Sequence, residues 1–258
     1  MGAKIYQNKK YIAFFLIPAF VFMLIFLYYP FIQNIINSFQ HIKYMGMAAD
    51  KWNAPFYKNY LEIFKDPKML IALKNTGIMI IATIVGEVGL AIVLSLLVSN
   101  IKKGAGFFRV VYFFPIVISA TALGLLFNLV FLYDKGMINQ LLQLIGVLDA
   151  GKNELIDWKA THPMFTMLVP VIWQYVGFYF IILLTGLSGI PEDLYEAAEI
   201  DGASKLQQVR YVTLPLLRNS ICTCVVLAVT GALKVFDLPW TMFVNGMSNT
   251  WLTGTHRA

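Results

Sequence analysis

Residues 196–215 read EAAEIDGASKLQQVRYVTLP. The stretch carries three acids, two bases and a glycine, yet it lies between two long apolar runs, 164–187 and 214–236. Pro191, just upstream, suits the first position of a helix. Glu192 and Asp193 favour that helix's positive N-terminal end. The helix continues through Leu194, Ala197, Ala198 and Ile200, and Gly202 is its natural stop. Ser204 and Gln207 then form an S-x-x-Q capping box for a second helix. That helix carries Leu206, Val209 and Val212 into Pro215, where the next apolar run begins. From Pro191 to Pro215 there are five acids and two bases. A segment that only joined two helices could be a handful of residues. This one is longer, capped and locally acidic, and Ala197, Ala198, Gly202 and Ala203 are small enough to allow close approach. It reads as a docking surface for a partner protein. Amphipathic helices that merely rest on lipid are usually basic, and a helix-turn-helix DNA reader would carry the opposite charge.

Working outward, composition places the flanking runs in a membrane. The chain has 258 residues, 59% hydrophobic and 13% charged, with a mean hydropathy of +0.68. A soluble domain is about a quarter charged. Five runs are long enough to cross a bilayer: roughly 11–32, 75–99, 107–132, 164–187 and 214–236. None alternates with period two, so the spans are helical and the fold class is an all-α, polytopic transmembrane bundle. The first run follows Lys4, Lys9 and Lys10 but is too long for a signal-peptide core and lacks a small-residue cleavage site, so it is expected to be retained. Residues 1–69 form an N-terminal span with its outer segment, and 70–258 the main transmembrane domain, with a loop at 190–215.

Lys and Arg set the expected orientation. With the N-terminus inside, segments 1–10, 100–109 and 188–218 carry three each, against six and three in segments 33–74 and 133–163. The totals tie, but the inner segments are shorter and denser, and Lys102, Lys103 and Arg109 favour a cytoplasmic N-terminus. On that orientation Asn59–Leu73, spaced helically around Pro67, lies near the outer interface.

Catalytic motifs are missing. Gly146 to Asn153 nearly spells a phosphate-binding loop, but Asn153 replaces the metal-binding hydroxyl and no strand precedes it. Cys222 and Cys224 lie in an apolar run with no partner to complete a metal site. The three histidines, His41, His162 and His256, fall in loops. No cofactor, metal or nucleic acid is expected.

The opening stretch resembles the EAA loop of the permease subunits of bacterial ABC importers. The likeness is carried by Glu196, Ala197, Ala198, Glu199, Asp201, Gly202 and Ala203, with Leu214 and Pro215 at the family's spacing. Trp173-Gln-Tyr-Val-Gly-Phe178, Leu187-Ser-Gly-Ile-Pro191, Lys234-Val-Phe-Asp237 and Lys74-Asn-Thr76 resemble the sugar-transporting branch, the MalF-like and UgpA-like carbohydrate permeases. The resemblance implies a type I importer permease fold in a bacterial inner membrane. It also implies a coupling helix held by a dimeric ATPase subunit, a second permease completing the path, an extracytoplasmic solute-binding protein and surrounding lipid. ATP hydrolysis would belong to the separate subunit. Six spans are usual in that branch and five are read here. The chain reaches Ala258 where the outer segment before a sixth would lie, so the expectation is a chain truncated before its last span.

Polar groups inside spans are costly and mark candidate solute contacts. Here they are Glu87 in the second span, Asn128 in the third, Trp173, Gln174 and Tyr175 in the fourth, and Lys234 and Asp237 at the end of the fifth. Such groups beside flat apolar faces suit a sugar. Against this, Lys234 and Asp237 at i,i+3 could pair with one another, Trp173 and Tyr175 could be packing, and Asn128 and Gln174 could tie helices together. The alternatives to a sugar importer are a permease for another solute, an ATPase-independent channel or secondary transporter, and a membrane enzyme using Glu87 or Asp237.

Overall fold

The computed structural model describes residues 9–42, 49–101, 104–149 and 154–243. They group into two compact units, Met1–Leu70 and Ile71–Ala258.

The first unit is dominated by helix α1, Tyr11–Ser38. Its turn widens to π geometry over Leu24–Tyr28, just ahead of Pro30, whose ring lacks an N–H and crowds the preceding turn. Phe14, Phe15 and Phe26 are each at least 70% exposed, so the helix needs lipid or protein around it. A two-stranded ladder follows, β1 (Gln40–His41) antiparallel to β2 (Lys51–Trp52). His41 is therefore a strand residue rather than a loop residue. Helix α2, Lys58–Lys65, closes the unit. Asn59 on α2 donates to the carbonyls of Ser38 (2.9 Å) and Gln40 (3.0 Å), and the Phe39 ring lies 5.7 Å from Tyr60 and 6.0 Å from Phe56.

The second unit holds nearly all of α3 (Pro67–Ser99) and the bent pair α4 (Ala105–Val117) and α5 (Ala120–Val130). Short helices α6 (Met137–Leu144) and α7 (Trp158–Thr161) lead to α8 (Pro163–Ser188). Then come α9 (Asp193–Ile200), the second bent pair α10 (Lys205–Leu216) and α11 (Arg218–Lys234), and α12 (Asp237–Phe243). Among the described residues, helices α1, α3 and α8 are long and apolar enough to cross a membrane, and counting each bent pair as one span raises the number to five.

Two apolar cores hold this unit together. One packs Val88 and Ala91 of α3 against Phe180, Leu183 and Leu184 of α8 and Cys224 and Ala228 of α11. The other packs Met79, Leu123, Phe127, Met167, Val171, Leu238 and Met242. With lipid outside as apolar as these side chains, close fit rather than water exclusion drives the packing. Gly177 shows how close: a Cβ there would collide with the Tyr112 carbonyl of α4.

Four sequence expectations are corrected. The third apolar run is not one helix. Pro115 sits in a tight 3-10 turn, Ile118 is extended, and Ser119 starts a new helix 96° away by accepting from the Ala122 amide at 3.2 Å. The fifth run bends by 68° around Leu217, so its main helix starts at Arg218 and not at Pro215. The second span extends back to Pro67, because Pro67 stands at a helix start, where its missing N–H costs nothing. Finally, Lys234 and Asp237 are not i,i+3 on one helix: the chain leaves helical geometry at Val235 (ψ 118°), and the two residues end α11 and begin α12. The near-match to a phosphate loop follows helix α6 rather than a strand, and its residues 150–153 lie outside the described residues.

Candidate functional site

The connection between α8 and α11 builds the first candidate surface. Helix α9 starts at Asp193 with Glu192 at its N-cap, so Pro191 stands before the helix and not within it. It ends in a six-to-one turn. Ala203 N–H donates to the Ala198 carbonyl (2.9 Å) and Gly202 N–H to that of Glu199 (3.0 Å), with Gly202 at φ +79°. Only glycine takes that conformation without strain. The capping box at the head of α10 is complete: Ser204 N–H donates to Gln207 Oε1 at 2.7 Å, and Gln207 N–H donates to Ser204 Oγ at 3.4 Å.

Behind this surface the segment is braced. Thr213 Oγ1 donates to the Gln208 carbonyl at 3.3 Å, and the Tyr195 hydroxyl meets Thr213 Oγ1 at 3.1 Å. Gln208 Nε2 reaches the Ala203 carbonyl at 3.3 Å. Lys205 pairs with Glu199 at 3.6 Å. Gln208 and Thr213 are buried, whereas Glu196, Ala197, Glu199, Asp201 and Gly202 are exposed and Ala198 and Ala203 half-buried. The turn's backbone ends and the side chains of Ser204, Gln207, Gln208 and Thr213 are thus bonded internally, and Glu196 and Asp201 stand exposed on the outer surface. An open groove of about 720 Å³ runs beneath, between the loop and the ends of α3, α4 and α8, with Arg109, Tyr195 and Lys205 among its walls.

A second cavity, about 370 Å³, lies inside the bundle. Glu87, Gln174, Tyr175, Lys234 and Asp237 line it. Glu87 projects from the π turn Ile84–Gly89 of α3, which is flanked by small glycines and lets the carboxyl reach inward. Glu87 is 2% exposed and its carboxyl meets the Tyr179 hydroxyl. Tyr179 and Thr83, both buried, also line the cavity. Neither was singled out from sequence, although Tyr179 follows Tyr175 by one helical turn and so shares its face. Gln174 is bound on one side: its Nε2 donates to the Ile118 carbonyl at 2.9 Å. Lys234 and Asp237 are exposed at the mouth.

Asn128 and Trp173 do not line this cavity. Asn128 Nδ2 donates to the Thr241 carbonyl at 3.3 Å, tying α5 to α12, and the Trp173 ring meets Phe127 edge-on at 5.9 Å. The buried Oδ1 of Asn128 has no hydrogen-bond partner among the described residues. Beyond the cavity, Asn139 holds α6 and α7 together, donating to the Tyr133 and Ile156 carbonyls (3.0 Å each) and accepting from Trp158 Nε1 at 2.8 Å. Next to it, partial burial pushes the Lys159 ammonium down against the opposing pull of Asp157. Among the described residues no His, Cys, Asp and Glu group could hold a metal ion.

A membrane helix bundle with bent spans, a largely apolar inner cavity carrying a few polar groups and a braced helix pair is an architecture suited to a solute permease. The chain belongs to the family of binding-protein-dependent transport system inner membrane components, whose model matches residues 88–256. It is 34% identical over 242 residues to the probable ABC transporter permease protein YurN of Bacillus subtilis, covering 93% of this chain and 81% of that one. It is also 31% identical over 242 residues to the arabinooligosaccharides transport system permease protein AraP of Halalkalibacterium halodurans, covering 90% of this chain and 71% of that one. It shares its fold with a bacterial ABC transporter involved in the import of the acidic polysaccharide alginate (TM-score 0.78, 22% identity, 97% of this chain and 82% of that chain). It is thus a multi-pass membrane permease.

Proposed function

We propose that the chain forms half of the translocation path of an ATP-driven importer for a sugar or sugar-like solute. A second permease completes the path, an extracytoplasmic binding protein delivers the solute, and a dimeric ATPase subunit supplies the energy. Segment 190–215 is the surface on which that ATPase acts. Its N-terminus is then cytoplasmic, on the same side as segment 190–215. The observation that carries the reading is the exposed Glu196–Ala203 turn, locked by its glycine cap and capping box and braced from behind through Tyr195 and Thr213. A rigid, small-residue, acidic projection can pass on a push, whereas a floppy loop would absorb it. The relatives named for arabinooligosaccharide and alginate transport, and the hydroxyl-matching lining of the inner cavity, support a sugar as the solute.

The test is co-purification of the membrane-expressed chain with its candidate ATPase subunits, for wild type, Gly202→Asp and Glu196→Lys. Capture by wild type and loss in both variants is the expected result. Capture that is the same in all three overturns the assignment of the coupling surface. Solute flux through the chain without any ATPase favours a channel or secondary transporter.

A further inference from the structure

We infer that the inner cavity selects uncharged saccharides over acidic ones, with Glu87 as the specificity-determining residue. The inference rests on reading that cavity as part of the solute path. Relatives cannot decide the point, since one is named for an arabinooligosaccharide and a structural neighbour for acidic alginate.

The cavity's charges decide it. Among the described residues lining it, three carry charge: Glu87, Lys234 and Asp237. Glu87 alone is at the buried end, and it faces the phenol of Tyr179, not a cation. Lys234 stands at the exposed mouth, where Asp237 opposes it. A uronate or sulfonate entering this space would shed its water beside a carboxyl, and among the described residues of this chain that line it none at that depth carries an ammonium or guanidinium to replace the lost solvation. The start of α5 reaches the cavity at Ala120, but Ser119 Oγ already accepts from the Ala122 amide there, so that end is partly satisfied.

Sugar hydroxyls are well served. Ionised, the Glu87 carboxylate accepts from them; protonated, it both donates and accepts. Thr83 Oγ1, which donates its proton to the Ile80 carbonyl at 3.1 Å, can still accept, and Tyr175, Phe178 and Phe236 add flat faces for the apolar sides of the rings. Both protonation states of Glu87 therefore suit a neutral polyol, and neither offers positive charge to an acidic one.

The experiment uses the assembled importer in proteoliposomes with internal ATP. The probes are a neutral oligosaccharide that the binding protein accepts and the same oligosaccharide with one ring oxidised to a uronic acid. Each uptake rate is divided by the binding protein's measured occupancy with that probe. Wild type should favour the neutral probe by about tenfold or more, because an acid that gives up its water here meets no positive charge in exchange. Glu87→Lys should bring the ratio towards parity and Glu87→Asp should preserve it. Should the Glu87 variants fail to assemble, Asp237→Asn at the exposed mouth should move the ratio the same way by a smaller factor. Parity in wild type, or a ratio unmoved by Glu87→Lys or, where that fails to assemble, by Asp237→Asn, overturns the selection while leaving a sugar importer standing. Uptake of neither probe, in a complex whose ATP hydrolysis still responds to its binding protein, overturns the sugar reading itself and the selection with it.

Discussion

Gln174 donates from Nε2 to the carbonyl oxygen of Ile118 at 2.9 Å, across 56 residues of chain. Ile118 lies at the 96° break between α4 and α5, where the backbone is extended and the helical ladder stops. A carbonyl freed inside a membrane protein must find a donor, because no water is at hand. Gln174, buried in the middle of α8, supplies it. Gln174→Leu is expected to cost about 1–3 kcal/mol by leaving that carbonyl unpaired, read as a lower unfolding midpoint in detergent. Gln174→Glu should restore the bond only in its protonated form, since the ionised carboxylate has no proton to donate. A Leu variant as stable as wild type would mean that the break is held by other contacts.

The crossing of α4 and α8 gives a sharper prediction. A Cβ on Gly177 collides with the backbone carbonyl of Tyr112, which no rotamer change can move aside. Gly177→Ala should therefore force the helices apart and lower the yield of folded protein severely. Gly77→Ala is the control, since nothing lies within 4 Å of a Cβ there, and alanine is the better helix former by about 1 kcal/mol. Size-exclusion profiles of the two variants should differ clearly, and identical profiles would show that the crossing can relax.

Sequence gave different kinds of access to these features. The braced turn was legible to the atom: Gly202 as the stop, and Ser204 with Gln207 as the box, follow from local chemistry alone. The bends were not. Residues 107–132 are apolar apart from a few positions such as Arg109 and Asn128, and apolarity reports the surrounding medium, not the direction of the chain. The signals were Pro115, which cannot continue a helical ladder, and Ser119, a good N-cap four residues on. The pairing of Lys234 with Asp237 failed for the same reason, because a spacing of three has meaning only if the helix persists through Val235. Of the polar span residues, those that entered the cavity could not be told from Asn128, since a buried amide serves packing and ligand equally well until its partner is known. Tyr179 carries no sequence signal of its own, being one of several aromatics in α8.

At Gly202 the backbone sits at φ +79° with open space around a notional Cβ. Conformation, not crowding, is therefore the constraint. Gly202→Ala is expected to destabilise the turn by about 1 kcal/mol, and Gly202→Asn, which tolerates the left-handed region, by less. Amide hydrogen exchange at Ala203, whose N–H closes the turn onto Ala198, should rise in the order Gly, Asn, Ala. The same exchange rate in all three variants would mean that the turn is not held by its glycine.

The brace behind the turn separates folding from coupling. Thr213 Oγ1 uses its proton on the Gln208 carbonyl, so the Tyr195 hydroxyl is the donor in the 3.1 Å contact between them. Tyr195→Phe removes that donor and leaves Thr213 bound to Gln208, whereas Thr213→Val removes both contacts and leaves a buried carbonyl poorly satisfied. Each single change should cost about 1 kcal/mol, and a double-mutant cycle should return a coupling of the same order, since the two groups share one bond. The bundle cores lie elsewhere, so overall folding should persist in Tyr195→Phe. If the segment passes ATPase motion to the spans, loosening it should lower solute uptake per ATP hydrolysed while ATP hydrolysis itself continues. Measuring both rates on one proteoliposome sample checks this. An unchanged ratio would show that α9 transmits force without the Tyr195–Thr213 contact, and a parallel fall in both rates would place the effect on ATPase docking instead.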